Sequence, residues 1–284
     1  MEVKVLVCCH KEDVKETSLP YLPIQVGKAI SKCDLGLCGD DSGDNISFKN
    51  GSYCELTGMY WAWKNLKGVD IIGLNHYRRY FDFYNQGSKG YPYTVISTAD
   101  FSAIRRDIPD EVYKRVSDGY VVCPKSKYVL SVEMDYCGCH ISDDFRTLKR
   151  VFKRTQSPKM KEAFFEVMSG CTLMNYNMFL MNWNDFDRYC TWLFELLEKV
   201  EAEIDITHYN SVQKRIFGYM AERLFNVWLH AEKRNRIIQV PVQWYVDDPE
   251  KYKQKPLLRE TITNLRLALS NFFYRPRRME PYFS

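Results

Sequence analysis

Asp70-Ile71-Ile72-Gly73-Leu74-Asn75-His76-Tyr77-Arg78-Arg79-Tyr80-Phe81 opens with a short apolar run and closes on an imidazole, two guanidinium groups and three aromatic rings. An apolar run of this length, bounded by polar residues, reads as a strand buried on both faces. Side chains delivered at the carboxyl end of such a strand sit where open α/β sheets bind their ligands. Arginine offers planar, forked, permanently charged donors, so Arg78 and Arg79, with His76 and Tyr77, suit a diphosphate. The competing reading pairs both arginines with surface acids and leaves His76 an ordinary polar residue.

Outward from this strand the chain alternates strands and helices. Residues 3–9 are a second buried strand, ending at His10-Lys11-Glu12-Asp13, where His10 and Lys11 are candidate phosphate ligands or a solvated loop. Leu56, Tyr60 and Trp63 share one face of a helix expected from about Tyr53 to Leu66. Ser97 or Thr98 is expected to cap a helix running to Val116, and Gly119 to Cys123 reads as a strand. Ser142 opens another helix, and Cys171 to Met181 reads as one strand. A long helix then carries Phe186, Cys190, Leu193, Leu197, Val200 and Ile204 at three- and four-residue spacing, followed by a helix from Tyr209 to Lys233 and a last strand from Ile237 to Val242. This alternation predicts an α/β fold.

The chain has 284 residues, 45% of them apolar, enough for one large core. The start of the sequence carries no basic stretch followed by a long apolar run, and no apolar segment reaches membrane-spanning length, so a cytoplasmic protein is expected. Ten scattered cysteines fit reduced thiols. Residues 251–284 hold eight Lys/Arg against two acids, and the remainder is slightly acidic with 32 against 34. That balance argues against nucleic acid as a partner.

Two further groups carry possible chemistry. The loop Gly39-Asp40-Asp41-Ser42-Gly43-Asp44-Asn45-Ile46-Ser47 offers hard oxygen donors for a divalent cation, or ribose and base contacts through Asp44 and Asn45, but its residue types are also turn formers. Glu222 and Asp205 flank the late helix and are candidate general bases, or else ion-pair partners on a solvated face. Cys137-Gly138-Cys139-His140 lacks the second ligand pair of a zinc site. P-loop, dinucleotide-binding and nucleophile-elbow motifs are absent from the sequence.

Taken together, the residues resemble a family of bacterial capsular or exopolysaccharide synthesis proteins, domain-of-unknown-function family 4422, some members of which are regarded as galactofuranosyltransferases. The resemblance rests on the 39–47 loop, on Asn50 with Tyr53-Cys54-Glu55-Leu56-Thr57 and Tyr60-Trp61-Ala62-Trp63-Lys64-Asn65, and on 73–81. Tyr176-Asn177-Met178-Phe179, Trp192-Leu193-Phe194 and 213–224 complete it, and it covers roughly 3–245. It implies a GT-A-like, Rossmann-related α/β fold over 1–250, with a central mixed sheet flanked by helices, followed by a basic tail over 251–284. It also implies transfer of a sugar from a UDP-sugar to a glycan or lipid-linked oligosaccharide, with inversion if the furanosyl assignment carries over.

In GT-A enzymes an Asp-x-Asp motif holds a metal against the donor diphosphate, and Asn75-His76-Tyr77-Arg78 stands in that place here. Two charge balances therefore stay open, one with no metal and one with a Mn or Mg ion recruited by the acidic loop. Under the resemblance the donor-binding set is His10, Lys11, Asp44, Asn45, Asn50, His76, Tyr77, Arg78 and Arg79. Glu222 or Asp205 takes the acceptor proton, with Asp143 and Asp144 behind them, and Asn175 and Asn177 orient the acceptor. In the tail, Leu258, Ile262, Leu265, Leu269 and Phe272 recur at helical spacing beside Arg259, Arg266, Arg275, Arg277 and Arg278. Such a helix suits either an anionic membrane surface, with peripheral attachment at the inner face of the cell membrane, or packing on protein. The alternatives to an enzyme are a non-catalytic nucleotide-sugar or glycan-binding protein and an interaction protein that uses its exposed aromatic side chains.

Overall fold

The computed structural model describes residues 1–87 and 91–252. The basic amphipathic helix expected in the tail lies outside them. The chain divides into two compact units, one comprising Met1–Ser126, Asn175–Arg188 and, within the described residues, 235–252, the other Lys127–Met174 and Tyr189–Arg234.

In chain order the elements of the first unit are β1 (Val3–Cys9), β2 (Tyr21–Gln25), β3 (Cys38–Gly39), α1 (Asn50–Tyr53), α2 (Leu56–Asn65), β4 (Ile71–His76), β5 (Arg79–Phe81), β6 (Tyr93–Ser97), α3 (Asp110–Ser117) and β7 (Val121–Pro124). The second unit contributes β8 (Lys127–Tyr128), α4 (Val132–Cys139), α5 (Ser142–Thr155), α6 (Pro158–Ser169) and β9 (Thr172–Leu173). β10 (Phe179–Asn182) returns to the first unit, α7 (Trp183–Glu201) begins there, and α8 (Ile216–Lys233) belongs to the second. β11 (Ile237–Val240) and β12 (Val242–Val246) complete the first unit.

The first unit is built on a mixed sheet of ten strands among the described residues, in the order β11-β7-β10-β4-β1-β2-β3, with β5, β12 and β6 continuing from β4. β1 runs parallel to β2 and β4, while β10 is antiparallel to β4 and β7. Residues 5–9 of β1 and 71–75 of β4 are buried on both faces, as their apolar runs require. Val5, Val7 and Cys9 face a core shared with Ile71, Tyr80, Val122 and Val116 of α3. On the opposite face α2 crosses β1 and β2 closely enough that a Cβ built on Gly58 falls 2.8 Å from Val26 Cγ1 and 3.5 Å from Cys8 Sγ. Helices therefore flank both faces of the sheet, as the α/β reading expects.

The second unit is helical with a two-stranded β8–β9 ladder. Phe152 and Phe164 pack at 4.4 Å between α5 and α6, and Tyr189 lies 5.2 Å from both Phe225 and Trp228. Glu203 takes Arg150 and Arg154 on the surface.

Several expected elements differ in detail. The helix expected from Ser97 to Val116 is a 3₁₀ turn, Thr98–Ala103, capped by the Ser97 side chain, followed by α3 from Asp110. Pro109 disfavours helical backbone at Ile108, and Arg106 turns inward to bond the carbonyls of Phe101 and Ile104. The helix expected from Tyr53 begins at Leu56, after a break at Cys54, whose φ is 53° and ψ −132°. The helix expected from Tyr209 begins at Ile216, after a 3₁₀ turn at Gln213–Arg215. The single strand expected over 171–181 is two strands, interrupted where Tyr176 and Asn177 take φ of 82° and 51°. The last strand is likewise two, β11 and β12, separated by Pro241, which has no N–H to give a ladder.

Candidate active site

β4 turns into β5 through the two residues Tyr77 and Arg78, so that His76 and Arg79 face each other across the hairpin. Register places Cys8 of β1 beside His76, and Trp244 of β12 beside Arg79. Directly paired residues point to the same side of a sheet. Cys8, His76, Arg79 and Trp244 therefore form a row across four strands, and Cys8, at one end of it, lies against α2.

Tyr176 and Asn177 lie over this row. The Tyr176 carbonyl accepts a hydrogen bond from His76 Nε2 at 2.7 Å, and the Arg79 guanidinium carbon sits 4.8 Å from the Tyr176 ring and 5.2 Å from the Trp244 ring. The next side chain, Asn177, donates from Nδ2 to Glu55 Oε1 at 2.7 Å. Two adjacent non-glycine residues in left-handed backbone cost about 1–3 kcal/mol each, a strain that surrounding contacts must hold in place. Glu55 itself stands at the start of α2, just past the break at Cys54. Burial first, and the Glu55 carboxylate next, push the Cys8 thiol well up, so Cys8 is a neutral packing group.

The two arginines have different surroundings. Arg78 Nη2 lies 2.8 Å from Asp13 Oδ2 and 2.8 and 3.0 Å from the two oxygens of Asp247. Lys11 adds a contact of 3.3 Å to Asp13. Burial opposes ionisation of Asp13, but the Arg78 hydrogen bond, the Val14 N–H and the Arg78 charge outweigh it and hold the carboxyl below its usual range. Arg78 is thus neutralised by two carboxylates. Arg79 has no carboxylate partner among the described residues, and its buried Nε has no hydrogen-bond partner there.

His10 meets the edge of Tyr77 at 5.2 Å, and Lys11 Nζ stands 6.0 Å from the same ring. Burial raises the Tyr77 phenol above its ordinary value. The structure thus gathers His10, Lys11, Tyr77 and Arg78 around the β1 and β4 ends, and joins His76, Arg79 and Asn177 through a two-residue strap, Tyr176-Asn177. Asn175 precedes that strap, and its buried Oδ1 has no partner among the described residues.

The acidic loop has a structural task. Asp40 is fully buried and accepts from the backbone N–H groups of Gly27 (2.9 Å) and Lys28 (3.1 Å) and from Ser47 Oγ (2.5 Å), so its oxygens face inward. Asn45 closes its own turn onto Gly43 and Ser47, and Asp44 accepts from Tyr60. Asn50 ties down the Cys54 break through the Cys54 carbonyl and Thr57. Among the described residues no group of three His, Cys, Asp or Glu side chains is arranged to hold a metal ion, and the inward turn of Asp40 takes the loop's central carboxylate out of such a role.

Glu222 and Asp205 belong to the second unit. Glu222 Oε2 accepts from Arg223 at 2.7 Å, and Asp205 Oδ1 caps its own turn at Thr207. Arg223 also meets the buried Asp135, itself 3.1 Å from Lys127, and His140 stacks on Tyr219 at 3.9 Å. Burial, reinforced by Arg223, holds the His140 imidazole down at about 3.

Sequence reasoning missed Asp13, Asp247, Tyr176, Trp244 and Glu55. The fourth residue of the polar run after β1 and the acid after the last strand were the available signals for the first two.

A family model described as Domain of unknown function (DUF4422) matches residues 4–234. No curated protein sequence shows significant similarity to the chain. Among solved structures, the apo form of WbbM, a bifunctional glycosyltransferase, superposes with a TM-score of 0.72 at 26% identity. The match covers 86% of this chain and 45% of that one, so the chain spans less than half of that protein. Among the described residues no helix is long and apolar enough to cross a membrane.

Proposed function

The chain belongs to the DUF4422 family, and from that premise we propose that it is a glycosyltransferase that takes a sugar from a nucleotide-diphosphate donor and passes it to a growing surface glycan. The observation that carries this reading is Arg79. It is a cation held between two aromatic rings at the end of the central strands, with no carboxylate partner among the described residues. The likeness to a bifunctional glycosyltransferase supports the same reading.

When the anomeric C–O bond breaks, its electron pair stays on the departing diphosphate. A preorganised guanidinium beside that oxygen lowers the barrier by about 2.7–4 kcal/mol, the scale measured for a single well-placed donor. Clamping on Tyr176 and Trp244 fixes the Arg79 fork before the donor arrives. Arg78, already neutralised, shapes the hairpin instead. The acceptor oxygen forms the new bond to the anomeric carbon, and its proton passes to a carboxylate. Glu222 and Asp205 are the candidates for that carboxylate, and each already accepts a hydrogen bond, Glu222 from Arg223 and Asp205 from Thr207. The finer reading, UDP-galactofuranose as donor with inversion at the anomeric carbon, rests on the family resemblance.

A panel of nucleotide sugars, assayed for nucleoside diphosphate release with and without a glycan acceptor and with and without EDTA, tests this. Acceptor-stimulated release from one donor is expected. If no nucleotide sugar is turned over or bound, the reading fails.

A further inference from the structure

Most of the acidic side chains described above at these sites answer to a cation or cap backbone N–H groups. Asp13 takes Arg78, Asp40 takes two amides and a hydroxyl, Asp135 takes Lys127 and Arg223, and Glu203 takes two arginines. Glu55 does neither. Its one hydrogen bond among the described residues comes from the neutral Asn177 amide, at 2.7 Å to Oε1, and Oε2 is neither bonded nor enclosed there. A half-buried carboxylate oriented by an amide at one oxygen keeps the other for a ligand.

The placement says which ligand. Glu55 stands at the start of α2, the helix that packs on Cys8, and Cys8 opens the row that runs through His76 to Arg79. Tyr176, whose ring meets Arg79, and Asn177, on Glu55, are adjacent residues, about 3.8 Å apart at Cα. A carboxylate repels a diphosphate, so Glu55 does not bind the group that Arg79 binds. A nucleotide sugar carries a ring bearing hydroxyls on each side of its diphosphate, and a carboxylate one strap residue from the phosphate-binding cation meets one of them.

We propose that Glu55, held in place by Asn177, is a donor-reading residue that accepts a hydrogen bond from a sugar hydroxyl of the nucleotide sugar. This rests on the reading of Arg79 as the diphosphate ligand. The chemistry is shared by two sources, the ribose and the transferred sugar, and the left-handed backbone at Asn177 is the device that aims the carboxylate.

The test is calorimetric titration of the wild type, Glu55→Gln and Asn177→Ala with UDP, 2′,3′-dideoxy-UDP and UDP-galactose, with the melting temperature of each variant as a check on folding. Glu55→Gln keeps shape and removes charge. It is expected to weaken UDP by about tenfold, the scale of one hydrogen bond to a charged group, and to leave dideoxy-UDP unchanged, which assigns the ribose. A loss confined to UDP-galactose assigns the transferred sugar and supports the proposal equally. Asn177→Ala should show the same selectivity with a smaller loss, and full affinity in that variant overturns the aiming role. Unchanged affinity of Glu55→Gln for all three ligands, or an equal loss for all three including dideoxy-UDP, overturns the proposal. A wild type that binds none of them overturns the donor-site reading instead, before Glu55 is put to the question.

Discussion

Replacing Arg78 and Arg79 separately by methionine should divide folding from binding. Arg78 is 19% exposed in its side chain and its partner Asp13 only 8%, whereas Asp247 is 73% exposed. Breaking a buried ion pair costs about 3–5 kcal/mol, and the remaining Lys11 and Val14 N–H contacts to Asp13 reduce that to about 2. The exposed Asp247 arm adds about 0–1 kcal/mol. Arg78→Met should therefore lower the melting temperature by about 5–10 °C, taking about 2–4 °C per kcal/mol for a chain of this size. Asp13 is held below its unfolded pKa, so the contribution of the pair is complete above about pH 4 and fades as pH falls through the lowered value. The gap between wild type and variant should close in acid. Arg79 has no ion pair to lose among the described residues. Its stacking on Tyr176 and Trp244 is worth about 0.5–1 kcal/mol per ring, partly offset by removal of the unpartnered Nε. Arg79→Met should shift the melting temperature by no more than about 3 °C, yet weaken UDP by about 10- to 150-fold through lost charge-assisted bonds. Differential scanning fluorimetry and calorimetric titration on the same preparations read both quantities. Unchanged affinity in Arg79→Met, with affinity lost and stability kept in Arg78→Met, would refute the assignment of the two roles.

Asp40→Ala leaves two amides and a hydroxyl without their buried acceptor and should cost about 3–5 kcal/mol, seen as a lower urea midpoint; a loss below about 1 kcal/mol would contradict its anchoring role. His140 is held at about 3 in the folded chain against about 6.5 when unfolded, so it binds a proton on unfolding between those values and stability falls as pH drops through that window. Between pH 7 and 5 this amounts to about 2 kcal/mol, and His140→Phe, which keeps a ring against Tyr219, should remove that part of the pH dependence; an unaltered profile would show that the imidazole is not the group responsible. Gly58→Ala places a methyl 2.8 Å from Val26 Cγ1 and should cost about 1–3 kcal/mol in denaturant unfolding, whereas a neutral result would mean that α2 has room to move off β2.

The central strands were legible because β1 and β4 are buried on both faces and their apolar runs are unbroken. β2 was not, since Pro23 argues against a strand. It is tolerated because β3 pairs only with Ile24 and Gln25, leaving the Pro23 position without a ladder partner on that side. β5 was read as a charged strand end, and its pairing with β12 depends on a segment more than 160 residues further along the chain. The break at Tyr176–Asn177 has half a signal: asparagine tolerates left-handed backbone, but a tyrosine there is held by tertiary contact alone, through His76 and Arg79. The same limit hid the site's acids. Glu55 reads as part of a helical face, and its partner stands 122 residues away; for Arg78 the sequence left open a phosphate ligand or a pair with an acid, and only Asp247, 169 residues away, shows which. The acidic loop misled for a local reason, since Asp-Gly-Asn-Ser composition serves a turn as well as it serves a cation, and only burial of Asp40 distinguishes the two.

The most direct test of the account is a structure of the protein with a nucleoside diphosphate bound. The account predicts the diphosphate on the face of the sheet that carries His76 and Trp244, with phosphate oxygens about 2.7–2.9 Å from the Arg79 guanidinium and the Arg78 contacts to Asp13 and Asp247 intact. A diphosphate seated away from Arg79, or one that displaces Asp13 and Asp247 to reach Arg78, would contradict it.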